Sequence, residues 1–174
     1  MTPIWLSAIA AFAALGIAIF SLWVWGTADS TTVIVIRHAE KEIGNPDPGL
    51  SAAGEARAAL LAKLFGDPKG PGRLDAIYIS ATLRSRMTAA PLAARLGIEP
   101  IVAPSDPKAL ARRALREHGG GRVMIVGHLD TVPQIVSILA GKNGIPDIGE
   151  QDYGLMYVVT VPRIGHANVL RLNY

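Results

Sequence analysis

The hydrophobic and polar positions of the chain fall into two textures. From Pro3 to Trp25 the tract PIWLSAIAAFAALGIAIFSLWVW carries no charge, and two serines are its only polar side chains. About 20 apolar residues span a bilayer core, so this tract predicts an N-terminal transmembrane helix. Trp5, Trp23 and Trp25 stand near its ends, where indole rings favour the headgroup region. Residues 26–32 are a short polar linker, and beyond it apolar runs alternate with amphipathic stretches to the end of the chain.

VIVI (33–36) is a continuous β-branched run of the kind that forms a strand covered on both faces. LSAAGEARAALLAKLFG (50–66) has Ala56, Leu60, Leu61 and Leu64 at helical spacing, Ser51 as its N-cap and Gly66 as its stop. DAIYIS (75–80) predicts a second strand. LRSRMTAAPLAARLG (83–97) predicts a second helix that Pro91 kinks or divides. EPIVA (99–103) is a short strand, and DPKALARRALREHG (106–119) a helix with Asp106 as cap and Pro107 at its first position. RVMIVG (122–127) predicts a buried strand, and DTVPQIVSILAG (130–141) a helix capped by Asp130. LMYVVTV and ANVLRLNY close the chain as a hairpin through PRIG. Repeated β-then-α units imply a three-layer α/β/α sandwich on a mostly parallel sheet, with antiparallel strands from the final hairpin. The expected division is 1–28, anchor or signal segment with linker, and 29–174, one α/β domain.

Composition changes the picture in three places. A chain of 174 residues, half of them apolar, has enough hydrophobic mass for one real core plus the appendage. The net charge of +3 is modest, and the basic clusters ARRALREH and RSR are not interleaved with aromatics, which argues against nucleic acid as a partner. An anionic substrate or an anionic membrane surface accounts for the bias. The absence of cysteine excludes a disulfide framework. For the N-terminal tract, a cleaved signal peptide ending near GTA (26–28) and a buried core helix compete with the anchor. The tract is longer than a signal-peptide core, lacks a basic n-region and has no polar face, so an uncleaved anchor is the expectation. Arg37 and Lys41 lie just after it and no Lys or Arg before it. Arg37 belongs to the candidate site described next, so its charge says little about orientation, and the expectation is a domain outside the cytoplasm.

In an α/β sheet of this kind ligands bind beyond the carboxyl ends of the strands. Those ends read RHAE (37–40), SATLRSR (80–86) and GHLD (127–130). Two histidines and at least two arginines therefore converge on one edge. Each motif alone also has a bland reading, as a charged strand end, a helix-surface arginine pair and a hydrogen-bonded core histidine. Their coincidence at three strand ends favours a site.

Taken in order, RHAE, SATLRSRMTAAPLA and VGHLDTVP resemble the histidine phosphatase superfamily, the phosphoglycerate mutase-like fold, over essentially all of Val33–Tyr174. The resemblance implies that His38 is a nucleophile accepting a phosphoryl group as phosphohistidine. It implies that Arg37, Arg84 and His128 form the phosphate pocket, with Arg84 rather than Arg86 matching by its distance from Thr88 and Ala89. No metal or other cofactor is implied. The chemistry is coherent, because phosphoryl transfer depends chiefly on positioning and electrostatic stabilisation, and arginine supplies planar, permanent donors. The proton donor to the leaving group stays open among Glu40, Asp130 and Asp106, with Glu40 favoured for standing two residues after His38. Asp106 and Asp130 also read as helix caps. His118 and His166 have no role in this reading. The expected partners are a phosphorylated small molecule or phosphoprotein, and the membrane. The rival readings are a phospho-ligand binding module without turnover, a phosphoglycerate-type mutase and a metal-dependent hydrolase. The last is opposed by two arginines in the pocket and by the lack of a carboxylate cluster.

Overall fold

The computed structural model describes residues 4–44, 46–70 and 72–174, and within the N-terminal helix the side chains of Ile9 and residues 11–23. That helix, α1, covers Ile4–Ala28. Phe12, Leu15, Phe20 and Trp23 are exposed on it. Among the described residues no helix is long and apolar enough to cross a membrane. The expected span, 3–25, lies partly outside them, and the uninterrupted run of described side chains, 11–23, is shorter than the roughly 20 residues a crossing requires.

The remaining elements are β1 (Ser30–Arg37), α2 (Ala52–Phe65), β2 (Ala76–Ile79), α3 (Leu83–Leu96), β3 (Ile101–Val102), α4 (Pro107–Glu117), β4 (Arg122–Gly127), α5 (Thr131–Ala140), β5 (Leu155–Pro162) and β6 (Asn168–Asn173). The strands form one sheet in the order β3-β2-β4-β1-β5-β6. The first four in that order run parallel, and β5 and β6 join antiparallel to β1 and to each other. This is the mixed α/β sheet expected from the alternating pattern.

The β1 run explains the two helical layers. Side chains alternate across a strand, so Val33 and Val35 pack with Leu110, Ile135 and Leu139 of α4 and α5. Ile34 and Ile36 pack on the other face with Leu61, Leu92 and Leu96 of α2 and α3. A one-residue slip of β1 would exchange these two sets of contacts. Its register is fixed against β4, with Ile36 opposite Val126 and Arg37 opposite Gly127. The ladder continues one step further, where His38 N–H donates to the Gly127 carbonyl at 3.0 Å. His38 and His128 are thus delivered together by two adjacent parallel strands.

Two local expectations change. Pro91 does not divide α3, which runs unbroken over Leu83–Leu96. Proline removes a single amide donor, and the burial of Ala89, Leu92, Ala93 and Leu96 along one face holds the helix through that loss. Asp130 occupies the N-cap position of α5 but makes no capping hydrogen bond. A cap there would accept from the amides of positions 132 and 133, but Val132 N–H donates to the His128 carbonyl at 3.0 Å and Pro133 has no N–H, so the Asp130 carboxylate is left outside the cap. Thr131 Oγ1 accepts separately from His128 N–H at 2.8 Å. Asp106 does cap α4, accepting from Lys108 and Ala109 N–H at 3.3 and 2.9 Å. Ser51 caps α2 through Gly54 N–H.

Candidate active site

The carboxyl ends of β1, β2 and β4 open into a cleft of about 760 Å³ lined by Arg37, His38, Arg84 and His128, with Asp130, Glu150 and Tyr153 among its other walls. Arg37 and His38 are 5% and 4% exposed. Burying two such groups without partners would be costly, so their partners define the site.

His38 directs Nδ1 to the Ala39 carbonyl at 2.8 Å. A carbonyl only accepts, so Nδ1 carries the proton and Nε2 keeps its lone pair. Arg84 confirms this assignment by donating its Nε–H to His38 Nε2 at 3.2 Å. The residue after His38 is pinned as well. Ala39 N–H donates to Thr88 Oγ1 at 3.0 Å, and that hydroxyl donates to the Arg84 carbonyl at 2.7 Å. Thr88 is fully buried, and it joins the loop of His38 to the helix that carries Arg84. Burial, reinforced by the positive surroundings of His128, Arg84 and Arg37, lowers the His38 pKa to about 4. The imidazole is therefore neutral and nucleophilic at Nε2 near neutral pH.

His128 lies edge-on to His38, the ring centroids 5.3 Å apart. Its Nε2 meets Ser80 Oγ at 2.9 Å. Ser80 in turn donates to the buried Ser85 Oγ at 2.8 Å. With the Ser80 proton directed at Ser85, the proton of the His128–Ser80 bond comes from Nε2. Burial and then Arg84 hold the His128 pKa below its ordinary value, with Asp130 opposing them.

Arg37 is clamped from the other side. Its Nη1 donates to the Gly149 and Glu150 carbonyls at 3.2 and 2.7 Å, and its guanidinium lies 4.0 Å from the centre of the Tyr153 ring. Its buried Nε has no hydrogen-bond partner. A guanidinium donor left over at Arg37, beside a histidine that already accepts from Arg84, is suited to an oxyanion ligand. Arg84 has an ion pair at 3.6 Å with the exposed Asp47. Arg86 points elsewhere, to the Ala81 carbonyl.

The carboxylates divide as follows. Glu40 lines the cleft, yet both its oxygens are engaged by Arg57, at 2.6 to 3.0 Å. Those bonds hold its pKa below the usual value. A carboxylate held ionised in this way has no proton to give, so its geometry disfavours the donor role expected from sequence. Asp106 is occupied as a cap and does not line the cleft. Asp130 lines it with an exposed side chain. His118 ends α4 with its ring edge-on to Tyr78, and His166 is exposed; neither lines the cleft. Among the described residues, no three His, Cys, Asp or Glu side chains are grouped to hold a metal ion.

Sequence reasoning did not single out Ser80, Ser85, Tyr153 or Arg57. Ser80 and Ser85 were visible within SATLRSR but unremarkable without the position of His128. Tyr153 and the two carbonyls come from a loop with no local signal.

A family model described as histidine phosphatase superfamily (branch 1) matches residues 33–105, from β1 to the turn after β3. Over that stretch, which is under half of the chain, the sequence is similar to the histidine phosphatase superfamily (branch 1). His38 and Arg84 fall inside the matched stretch, and the sheet brings His128 to them from outside it. Solved structures share the fold of this chain. The protein histidine phosphatase SixA, solved with tungstate, superposes with a TM-score of 0.66 at 18% identity, covering 82% of this chain and 96% of that one. The SixA protein of Agrobacterium tumefaciens gives 0.61 at 22% identity, over 82% of this chain and 98% of its own. A mycobacterial glucosyl-3-phosphoglycerate phosphatase gives 0.60 at 15% identity, over 83% and 99%. No curated protein sequence matches the chain.

Proposed function

We propose that this protein is a phosphatase that works through a phosphohistidine on His38, without a metal. The observation that carries this reading is the unprotonated Nε2 of a buried, neutral His38, set among Arg37, Arg84 and His128. Nε2 attacks phosphorus, the bond from phosphorus to the leaving group breaks, and the leaving group takes a proton from water or a nearby acid. Nδ1–H stays on the Ala39 carbonyl and stabilises the positive ring of the phosphoenzyme. Arg37 and Arg84 balance the charge on the phosphoryl oxygens. Water then attacks phosphorus, the N–P bond breaks, and phosphate leaves with His38 restored.

Asp130 is the carboxylate best placed to protonate a leaving group. It lines the cleft, and its carboxylate makes no capping hydrogen bond. Among the described residues no second group is seen to aid it, which favours substrates whose leaving group needs little help. A phosphoramidate such as phosphohistidine in a protein meets that condition, as do activated phosphomonoesters. The SixA structures, one described as a protein histidine phosphatase, support this choice by fold.

The test uses the full chain in detergent with chelator present. The expected result is phosphate release from phosphohistidine and from an aryl phosphate, abolished by His38→Ala. Undiminished activity in that variant would sink the mechanism. Retained binding of inorganic phosphate with no turnover would point to a binding module, and phosphoryl transfer between substrate positions to a mutase.

The proposal extends to location. α1, with its exposed apolar side chains and a sequence free of charge, would tether the phosphatase to a membrane with the catalytic domain outside the cytoplasm. Membrane fractionation, with protease protection in intact cells, tests both halves. Recovery of the full-length chain in the soluble fraction would remove the anchor. Protection of the domain in intact cells would reverse the orientation.

A further inference from the structure

Glu40 and Arg37 stand three residues apart, and a chain of contacts leaves one and returns to the other through the far end of the molecule. The Glu40 carboxylate takes three hydrogen bonds from Arg57 of α2. Arg57 Nη1 also donates to the Tyr174 carbonyl at 2.7 Å, and its guanidinium lies 5.5 Å from the centre of the Tyr174 ring. Tyr174 N–H donates to the Gly154 carbonyl at 3.0 Å. Gly154 follows Tyr153, whose ring lies against the Arg37 guanidinium, and four residues earlier the chain supplies the Gly149 and Glu150 carbonyls to Arg37 Nη1.

The connection is closely fitted. A Cβ at Gly154 would sit 2.9 Å from the Tyr174 carbonyl and 3.0 Å from Arg57 Nη1. At the other end a Cβ at Gly54 would collide with the Glu40 backbone, and the Glu40 carbonyl accepts from Ser51 N–H at 2.9 Å. Both ends of the ion pair are therefore seated on backbone that has little room to shift.

Resting on the phosphatase reading, we infer that Glu40 and Arg57 are positioning residues for phosphate binding: their ion pair straps the 149–154 loop and Tyr174 in place, and thereby aims Arg37 at the phosphoryl oxygens. The argument is mechanical. A guanidinium held by two carbonyls and one ring keeps its direction only while that loop keeps its place. The loop has no regular secondary structure of its own, so its position depends on ties such as Gly154 to Tyr174. Arg57 bridges Glu40 and Tyr174, and no second bridge between those two segments is needed to close the ring.

This role and the proton-donor role separate by leaving group. A donor matters most for an alkyl phosphate and little for an activated aryl phosphate. A strap acts on the phosphoryl group common to both. The variants are Glu40→Gln, which keeps a neutral hydrogen-bonding partner for Arg57, Arg57→Met, and the pair combined. In the full chain, KM for both ester classes and the inhibition constant for inorganic phosphate should rise together, roughly fivefold or more in each single variant. The double variant should be no worse than the poorer single one, because the two act as a unit. A Glu40→Gln enzyme that loses alkyl-ester turnover selectively, with phosphate affinity intact, overturns the inference and restores Glu40 as the acid. So does an Arg57→Met protein that melts normally and binds phosphate as the parent does. If Arg57→Met fails to fold, Glu40→Gln alone decides. Calorimetric titration with inorganic phosphate keeps the result independent of turnover. Weakened binding in Glu40→Gln supports the strap even where the parent hydrolyses nothing, a result that would fail the phosphatase reading alone.

Discussion

Arg84 donates to His38 Nε2, the atom that attacks phosphorus in the proposed mechanism. A permanent cation thus engages the His38 lone pair, and in the proposed mechanism a phosphoryl group draws that guanidinium onto its own oxygens before attack. On that proposal Arg84 restrains His38 before the substrate binds and assists it afterwards.

The first consequence concerns pH. With His38 lowered to about 4, chiefly by burial, kcat/KM for an aryl phosphate should keep its acid limb near pH 4 once substrate ionisation is allowed for. An unperturbed histidine would put that limb near pH 6.5. Arg84→Met should move the limb upward, since Arg84 contributes to the depression, and should also weaken phosphate affinity. An acid limb at pH 6.5 in the parent enzyme would contradict the burial argument.

Stability should follow the same group with the opposite concern. Between about pH 6.5 and pH 4 the unfolded chain binds a proton at His38 that the native site refuses. Native stability therefore falls as pH falls through this window. His38→Gln should flatten that part of a curve of melting temperature against pH. A curve of unchanged slope would show that another group carries the dependence.

Ser80→Ala removes the hydroxyl between His128 Nε2 and Ser85. The expected result is a loss of about 10- to 100-fold in kcat with folding retained, and partial recovery in Ser80→Thr. Equal melting temperatures with unchanged kcat would show that His128 is held by other contacts.

Thr88→Val keeps the shape of the side chain but strips Ala39 N–H and the Arg84 carbonyl of their shared partner. Denaturant unfolding should show a loss of about 1–3 kcal/mol, and activity should fall further than stability because His38 and Arg84 lose their common tie. Wild-type stability would mean that water replaces the hydroxyl.

Asp130→Asn should slow hydrolysis of an alkyl phosphate more than that of an aryl phosphate or phosphohistidine. Equal effects on all three would remove Asp130 as the proton donor and leave water in that role.

The strand and helix order was readable because hydrophobic period reports burial directly. Val33 to Ile36 must be covered on both faces, and they are, by four helices. His38, Arg84 and His128 were readable because parallel strands present their carboxyl ends together. Glu40 shows where such reading stops. Proximity along the chain placed it at the cleft, but its charge state depends on Arg57, a partner 17 positions away on α2. Asp130 shows the converse. Its place before α5 suggested a cap, but Val132 N–H already donates to the His128 carbonyl and Pro133 has no N–H to offer. Tyr153 and the carbonyls around it are set by how a long connection folds back over β1, which no local pattern records.

The two histidines and the arginine clamp belong to parts of the molecule with unequal resistance to opening. His38 extends the buried β1–β4 ladder by its own backbone amide, and such central strands open only with the whole domain. Arg37 takes its orientation from a loop tied down at a few points. In amide hydrogen exchange the nucleophile should therefore belong to the slowest class, and the 149–154 segment to a much faster one. Bound phosphate should slow the loop while leaving the ladder almost unchanged, so the chemistry is built on the durable half of the domain and admission of the ligand is governed by the yielding half.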